Sequence, residues 1–220
     1  SKPAGWYFST YGKHATVTAI KNKPGKWVQL GYNNAFSSTA MKKPLPENFT
    51  MEYDMATDAF STPTGGAAEL YLSTYSLNQN GMENKTGNGT SVSVRVTSGN
   101  EAGNNNNNYR GAAKIEMHSS PGVNVENNSE GLYYTYNLSE FTNNKSQIHV
   151  KLQIKNGVLK LFINEKHVAE STGFKMLYGK PCTSCALPAN TKFNTIYWKN
   201  TTNDAEKVKV YISNVKLTKE

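Results

Sequence analysis

Acidic residues and arginine are scarce in this chain of 220 residues. It holds 3 Asp, 13 Glu and 2 Arg against 22 Lys, which gives a formal net charge of +8. A protein that binds nucleic acid concentrates its arginines and lysines on one face or tail, whereas the lysines here are spread along the whole chain. We therefore expect a lysine-rich, solvated surface and no nucleic-acid partner, and an anionic glycan stays open as a ligand.

Long apolar runs are also missing. None approaches the roughly 18 to 20 residues that a spanning helix needs, so we expect no membrane span. A helical bundle is disfavoured because the 27 Asn and 17 Gly are poor helix formers. Disorder is disfavoured because 13 Tyr, 8 Phe and 3 Trp are able to fill a core. These exclusions leave a β protein, and residues 1–220 have an ordinary length for one domain.

Cysteine is rare, with only Cys182 and Cys185 in the chain. The two residues stand in a segment with nearby proline and glycine, which is typical of a loop and not of the strand-to-helix context of a thioredoxin-like motif. A zinc site needs further ligands, and the sequence has no second pair of cysteines. We expect a small loop-closing disulfide first, two free thiols second and a metal site last.

Apolar and polar residues alternate with a period of two in several segments. Phe49, Met51, Tyr53 and Met55 share one face of the first, and residues 91–97 carry valine at every second position. Strands of this kind are half-buried and belong to antiparallel sheets. About a dozen of them in one domain must form a sandwich or a barrel. We predict an all-β fold, a two-sheet antiparallel jelly-roll sandwich.

Turn signals separate the alternating segments. Asn156-Gly157 stands between residues 148–154 and 158–163, and this dipeptide favours the positive φ angles of a tight hairpin turn. Ser213-Asn214 interrupts the last alternating segment and predicts a bulge. Three polar, asparagine-rich segments are interpreted as loops: residues 76–89, 98–109 and 119–131.

Several stretches resemble one known family. The first two are residues 3–6, which end in a tryptophan, and residues 25–30. The next is a Leu-Pro-x-x-Phe-Thr-x-Glu-x-Asp strand at residues 45–54. The last two are residues 151–169 and a strand with the sequence Ile-Ser-Asn at residues 210–217. Together they resemble the concanavalin A-like, laminin-G-like domains of bacterial envelope proteins, and more narrowly the domain that precedes an outer-membrane-protein-A-type peptidoglycan-binding module. The resemblance implies a concanavalin A-like fold, a carbohydrate or envelope glycan as partner, and an extracytoplasmic location (periplasm, outer membrane or secreted).

Glu52 and Asp54 are the first candidate pair for catalysis. A retaining glycosidase needs two carboxylates about 5 Å apart, and residues i and i+2 of a strand share a face at about that reach. Laminarinase-like hydrolases of the same fold class carry a third carboxylate, which is absent here because Met55, Ala56 and Thr57 follow. The alternative interpretation is an edge or surface pair on the polar side of a strand.

His149 is the second catalytic candidate. Gln147-Ile148-His149 matches a strand of alginate-lyase-like members of this fold class, while only Glu69-Leu70 remains of their Arg-x-Glu-Leu strand and their tyrosine-rich motif is missing. A lyase would need a cationic cleft and a Tyr or His base. The alternative interpretation is an outward-facing histidine at the start of an ordinary strand.

A glycan-binding surface is a hypothesis that depends on surface chemistry and not on a catalytic motif. Sugar rings stack on exposed aromatic residues and hydrogen-bond to polar and charged side chains. If the polar faces of neighbouring strands meet, they form a patch with residues of this kind: Glu69, Tyr71, Arg95, Glu116 and His118, rimmed by Tyr109 and Arg110. The alternative interpretation is a solvated sheet face with cross-strand ion pairs.

A non-catalytic domain that binds a glycan or associates with the envelope is the function we predict. A polysaccharide lyase or glycoside hydrolase is the alternative, and a structural domain that presents a partner module is the third hypothesis. No cofactor is expected. Ca²⁺ stays open as a weak ligand of the asparagine-rich loops, where Glu83 and Glu101 are the nearby acids.

Overall fold

The computed structural model describes residues 6–8, 15–30, 35–38, 43–57, 67–75, 89–100, 110–120, 129–135, 147–171, 187, 189–201 and 208–220. Within these ranges the chain forms fourteen β-strands and no α-helix. In this part of the chain, no helix has the length and apolar character that crossing a membrane requires. The expected all-β fold is confirmed.

The strands form two antiparallel sheets of seven strands each. In chain order they are β1 (Trp6–Phe8), β2 (Thr16–Thr18), β3 (Trp27–Leu30), β4 (Ala35–Ser38), β5 (Phe49–Thr57), β6 (Ala67–Ser73), β7 (Gly89–Asn100), β8 (Arg110–Ser120), β9 (Ser129–Thr135), β10 (Gln147–Lys155), β11 (Val158–Ile163), β12 (Lys166–Glu170), β13 (Thr195–Asn200) and β14 (Val210–Lys219). The first sheet has the order β1-β4-β13-β6-β7-β8-β9, and the second has the order β12-β11-β10-β5-β14-β3-β2. The predicted two-sheet sandwich is therefore confirmed.

The core lies between the two sheets, where the apolar face of each alternating strand points inward. Met51 and Met55 of β5, and Val92 and Val94 of β7, are at most 1% exposed. Full burial of such a side chain contributes ~1.5–3 kcal/mol relative to exposure. The apolar side chains that produce the period-two pattern therefore also hold the two sheets together.

Two aromatic rings meet across this core. Tyr53 of β5 and Trp198 of β13 pack edge to face, with ring centroids 5.6 Å apart and an interplanar angle of 78°. Both side chains are fully buried, and burial raises the pKa of the Tyr53 hydroxyl. The pair joins the central strand of one sheet to the other sheet.

Both predicted backbone irregularities are present. Asn156 and Gly157 adopt φ angles of 51° and 76°, and they close the β10–β11 hairpin between Lys155 and Val158. The register between β5 and β14 shifts between Ser213 and Lys216. The predicted hairpin turn and the predicted bulge are therefore confirmed.

All three predicted loops are shorter than the composition suggests, because β7 begins at Gly89 and β9 begins at Ser129. β7 reaches Asn100 and β8 reaches Ser120, so that Gly89 pairs with Ser120 and Asn100 pairs with Arg110. Pairing with a neighbouring strand outweighs the preference of polar residues for turns, because strand propensity depends strongly on context. The remainder of these loops lies outside the described residues.

Candidate functional site

The sequence-predicted glycan patch lies on the outer surface of the first sheet. We call this surface the Tyr71 face, defined by Glu69, Tyr71 and Ser73 of β6, Arg95 of β7 and the β8 positions Lys114, Glu116 and His118. Arg95 pairs with both Glu69 and Lys114, Ser93 pairs with both Tyr71 and Glu116, and Ser91 pairs with both Ser73 and His118. Because directly paired residues share a face, the register brings the predicted strand positions together.

The centre of the Tyr71 face is largely buried. Glu69 is 8% exposed, Ser93 is 2% exposed and Tyr197 is 4% exposed. The Tyr71 ring stacks on the Tyr197 ring, with centroids 4.5 Å apart and an interplanar angle of 5°. Arg95 donates a hydrogen bond from Nη2 to the backbone oxygen of Thr201 at 3.4 Å. One face of the Tyr71 ring is therefore covered by Tyr197.

Other predicted site residues are described only in part. Arg110 begins β8, and Glu116 and His118 are strand positions within β8. Tyr109, Cys182 and Cys185 lie outside the described residues. The ligand-binding role of the first group and the disulfide of the cysteine pair therefore stay predictions.

A second polar surface lies on the outer side of the second sheet. We call it the His149 face. It is defined by Glu52 and Asp54 of β5, Gln147, His149 and Lys151 of β10, Phe162 of β11, Glu165 in the turn after β11, and Asn214 and Lys216 of β14. β5 lies between β10 and β14. His149 lies opposite Asp54, and Lys216 lies opposite Glu52. The residues proposed separately for a hydrolase and for a lyase therefore meet in one cluster.

Asp54 is the anchor of this cluster. Its side chain accepts hydrogen bonds from Gln147 Nε2 at 2.8 Å and from Asn214 Nδ2 at 2.6 Å. His149 Nδ1 lies 2.9 Å from Asp54 Oδ1. Asn214 reaches the carboxylate from the bulge in β14, where its φ is 51°. A carboxylate has about four acceptor positions, so most of the capacity of Asp54 serves to fix its neighbours.

Glu52 occupies the adjacent position and also contacts the same imidazole. Glu52 Oε1 lies 3.4 Å from His149 Nε2, and Glu52 Oε2 lies 3.1 Å from Lys216 Nζ. The hydrogen bond from Lys216 is the largest cause that lowers the pKa of Glu52, and it outweighs burial, which acts in the opposite direction. Glu52 is therefore held as a carboxylate.

The turn after β11 completes the charged cluster. Asn164 and Glu165 adopt positive φ angles of 48° and 63°, and Asn164 Oδ1 accepts a hydrogen bond from His149 N at 2.8 Å. This turn brings Glu165 into an ion pair with Lys151. Glu165 Oε1 is also 4.0 Å from His149 Nε2. The imidazole is thus surrounded by three carboxylates, two of which are paired with the ammonium groups of Lys216 and Lys151.

The residues that the structure describes do not complete either catalytic set on this face. A glycosidase acid needs a raised pKa and a partner in a different environment, whereas Glu52 has a lowered pKa and Asp54 is engaged by three donors. The lyase set of His, Arg and Tyr does not assemble either, because both arginines, Arg95 and Arg110, belong to the other sheet. β5 is also a central strand, so Glu52 and Asp54 are not an edge pair, and Asp54 is buried.

Phe162 is a site residue that the sequence reasoning missed. It lies half-buried on the polar side of β11, whose alternate residues Leu161 and Ile163 are buried. Lys151 Nζ is 4.9 Å from the centroid of its ring, and the His167 ring lies 5.2 Å away. The signal was available, because the period-two pattern places Phe162 on the same side as lysine.

A small apolar cluster borders the His149 face on one side. Trp27, Ile20, Ala56 and Tyr211 pack together where the β2–β3 turn folds over the outer surface. Trp27 Nε1 donates a hydrogen bond to the turn itself at 3.1 Å. Lys23 of this turn has a pKa lowered by burial, an effect that Asp54 partly opposes. The open part of the His149 face therefore extends in the other direction, along β10 and β11.

A shallow cavity follows the His149 face along these two strands. Its volume is 280 Å³, and its lining is formed by Gln153, Lys155, Asn156, Val158, Lys160 and Glu170. Lys160 Nζ lies 3.3 Å from Glu170 Oε2, and Lys155 Nζ lies 4.0 Å from Glu220 Oε2. The lysines around the cavity are thus paired with acids.

Across the described residues, no three His, Cys, Asp or Glu side chains are grouped to hold a metal ion.

Comparison by sequence finds no protein family model and no curated protein that matches this chain. Comparison of structures finds lectin-like relatives of the fold. A legume lectin-like domain from Entamoeba histolytica superposes with a TM-score of 0.56 at 8% identity, covering 98% of this chain and 90% of that one. A Bacillus subtilis protein of unknown function with a galectin-like fold superposes with a TM-score of 0.55 at 11% identity, covering 97% of this chain and 89% of that one.

A third similar structure is the exoplasmic/lumenal domain of VIP36 in its Ca²⁺/Man-bound form. It gives a TM-score of 0.54 at 12% identity and covers 98% of this chain and 83% of that one. At such identities the likeness concerns the fold, because one fold hosts many functions. The chain has a concanavalin A-like jelly-roll fold, which it shares with lectin-like domains.

Proposed function

We propose that the chain is a non-catalytic, glycan-binding β-sandwich domain and that the His149 face is its binding surface. The observation that carries this proposal is the half-buried ring of Phe162, which lies beside Lys151 and His167 on an otherwise polar sheet face. A sugar presents an apolar ring face that stacks on an aromatic residue and a polar rim that hydrogen-bonds to charged side chains. The His149 face offers both kinds of contact.

The similar structures support a carbohydrate as the ligand class. One of them is the carbohydrate recognition domain of Emp47p, with a TM-score of 0.54 at 12% identity. VIP36 is described in a Ca²⁺/Man-bound form. Because fold alone does not define function, the chemistry of the His149 face carries the proposal for this chain.

The lowered pKa of Glu52, which keeps it a carboxylate, and the hydrogen bonds that engage Asp54 support a binding role over catalysis. One specific observation favours the hydrolase alternative, namely that a single imidazole contacts both carboxylates. Assaying wild-type protein against a panel of neutral and acidic polysaccharides separates the two functions. We expect no turnover. Release of sugar that Glu52→Gln or His149→Ala abolishes would establish the enzyme and overturn the binding proposal.

The binding proposal is tested on the Phe162 ring. Wild-type protein is screened on an array of neutral and acidic oligosaccharides, and the strongest binder is titrated by calorimetry. Phe162→Leu keeps apolar bulk but removes the ring, and we expect it to weaken binding roughly tenfold, about the size of an aromatic contact. Phe162→Trp keeps a ring and serves as the matched control, with binding retained. Equal affinities for wild type and Phe162→Leu would contradict the proposal.

We further propose that residues 1–220 form one domain that works outside the cytoplasm, associated with the envelope and with an envelope glycan as its partner. The motif resemblance at residues 45–54 and 210–217 supports this setting, and these residues overlap the adjacent strands β5 and β14. A single cooperative calorimetric transition is expected for one domain. Cell fractionation that recovers the protein only from the cytoplasm would contradict the location.

A further inference from the structure

A second cavity begins where the groove along β10 and β11 ends. This loop-end pocket has a volume of 290 Å³, and its lining includes Glu47, Asn48, Asn156, Gly157, Ala189 and Asn190. Asn156, at the tip of the β10–β11 hairpin, lines both the pocket and the 280 Å³ groove. The two cavities are therefore neighbours around one side chain.

Amide groups dominate the chemistry of the loop-end pocket. In the part of the chain that the structure describes, Asn156 and Asn190 have exposed side-chain amides with no hydrogen bond to the protein. Asn48 uses its Oδ1 to accept a hydrogen bond from Asn156 N at 2.8 Å, which leaves its amino group to donate. Amides both donate and accept, and sugar hydroxyl groups do the same. The lining therefore matches a polyhydroxylated ligand.

The charge of the loop-end pocket favours a neutral ligand. Its carboxylate, Glu47, is 3.7 Å from Lys192 Nζ, and both side chains are half-exposed. One such carboxylate among amides is a weak donor set for Ca²⁺, which takes six to eight oxygen ligands. No unpaired cation lines the pocket within the described residues. An anionic sugar would therefore find no charged partner there.

The backbone of the pocket is held by hydrogen bonds between separate segments. Asn156 and Gly157 adopt the left-handed conformation at the hairpin tip, and Asn190 does so with a φ of 64°. Leu187 N donates to Gly157 O at 2.9 Å, and Leu45 N donates to Phe193 O at 2.7 Å. These bonds join the hairpin tip and the two flanking segments, so the pocket is largely preformed, as ligand sites usually are.

The His149 face leads directly to this pocket. Lys151, Gln153 and Lys155 are the successive outward positions of β10, and at about 3.4 Å per residue the distance from Lys151 to Asn156 is roughly 17 Å. A glycan that lies on the His149 face and follows β10 would therefore reach the pocket with one end, after passing the groove.

We propose that the loop-end pocket is a second saccharide subsite, which takes one neutral sugar unit at the end of the glycan bound on the His149 face. The proposal rests on the glycan-binding function stated above and adds the class of unit that is recognised and its place in the chain. It predicts that affinity rises with glycan length until the end unit reaches the pocket.

The test uses the amides of the pocket in a length series. Chito-, manno- and malto-oligosaccharides of increasing length are titrated by calorimetry into wild type and into the double variant Asn156→Gly, Asn190→Gly. Glycine keeps the left-handed backbone at both positions and removes the two amides. Asn22→Gly is the matched control, because Asn22 has the same φ of 64° on an exposed turn outside the pocket. Ala189→Trp fills the pocket as an independent variant.

We expect the double variant and Ala189→Trp to lose roughly tenfold in affinity for the longer oligosaccharides, about the loss of two neutral hydrogen bonds. Their affinity then no longer rises with length, and Asn22→Gly behaves as wild type. If the pocket variants bind every length as wild type while Phe162→Leu weakens binding, the pocket proposal fails and the function stands. If wild type binds none of these series or the array, both proposals fail.

Discussion

The two outer faces of the sandwich are built from the same alternating pattern but differ in what holds them. The Tyr71 face is dominated by buried groups, with stacked tyrosine rings and serine side chains that are almost fully covered. The His149 face is dominated by charged groups that remain accessible around a single imidazole. The first is thus stabilised mainly by burial and the second mainly by hydrogen bonds and ion pairs.

This difference shows that the polar positions of an alternating strand need not be exposed in the folded protein. Glu69 and Glu52 occupy equivalent outward positions in their alternating strands, yet Glu69 is buried while Glu52 is only partly buried and is paired with Lys216. Coverage of a sheet face depends on residues far away in the sequence, which the period of two does not encode. The surface that is open is therefore the better candidate for a ligand.

The largest expected effect separates the two faces by stability. Tyr197→Ala removes a buried ring from the Tyr71 face, and we expect a loss of about 3–5 kcal/mol in the free energy of unfolding, as for other large-to-small aromatic changes. Phe162→Ala removes a half-buried ring from the His149 face and should cost about 1 kcal/mol. Urea denaturation of both variants measures the difference.

Tyr197→Leu keeps this comparison testable if the alanine variant does not fold, because leucine fills part of the space. The free energy of unfolding of Tyr197→Leu should lie between those of Tyr197→Ala and wild type. Glycan affinity at the His149 face should be unchanged in Tyr197→Leu. Equal costs at the two rings would show that the Tyr71 face is as open as the His149 face, and would make it an equal candidate for the binding surface.

The next effect concerns the anchor of the His149 face. Asp54→Ala leaves the side-chain donors of Gln147 and Asn214 without their acceptor, and we expect a loss of about 1–3 kcal/mol in the free energy of unfolding. Glu52→Ala on the same strand removes an accessible ion pair and should cost at most about 1 kcal/mol. Chemical denaturation of both variants is the measurement. A smaller cost at Asp54 than at Glu52 would reverse the roles assigned here.

The strands, the hairpin and the bulge could be predicted from the sequence because local patterns encode them. Period-two alternation at residues 49–55 and 91–97, the Asn156-Gly157 turn and the Ser213-Asn214 interruption are all properties of neighbouring residues. The extension of β7 and β8 into predicted loops was missed because pairing between strands depends on partners distant in sequence.

The composition of the candidate site could be predicted only in part. The sequence predicts Glu52 and Asp54 as one pair and His149 as a separate candidate, but their meeting depends on the pairing of β10 with β5, which is a matter of register and topology. Phe162 was missed because an aromatic residue in an alternating strand is more often assigned to the core. Lys216 reaches Glu52 through the register shift of the bulge in β14, whose size the sequence does not state.

The smallest expected effect is the pH dependence that the charged face confers. The pKa of Glu52 is lowered in the folded protein, chiefly by its hydrogen bond from Lys216, so in acid the unfolded chain binds more protons at this site. The stability that Glu52 contributes is therefore complete above the ordinary glutamate pKa of about 4.3 and is lost as the pH falls through its lower, folded value. Because the pair is partly exposed, the contribution is at most about 1 kcal/mol.

Lys216→Gln should flatten this part of the stability profile, measured as the urea midpoint across the acid range. Lys219→Gln is the matched control, because it removes the same charge from the same strand without touching Glu52. The ring variant Tyr197→Leu should lower stability by a similar amount at every pH, since stacking and burial involve no proton. If Lys216→Gln and Lys219→Gln keep the same slope as wild type, the ion pair does not distinguish the two faces.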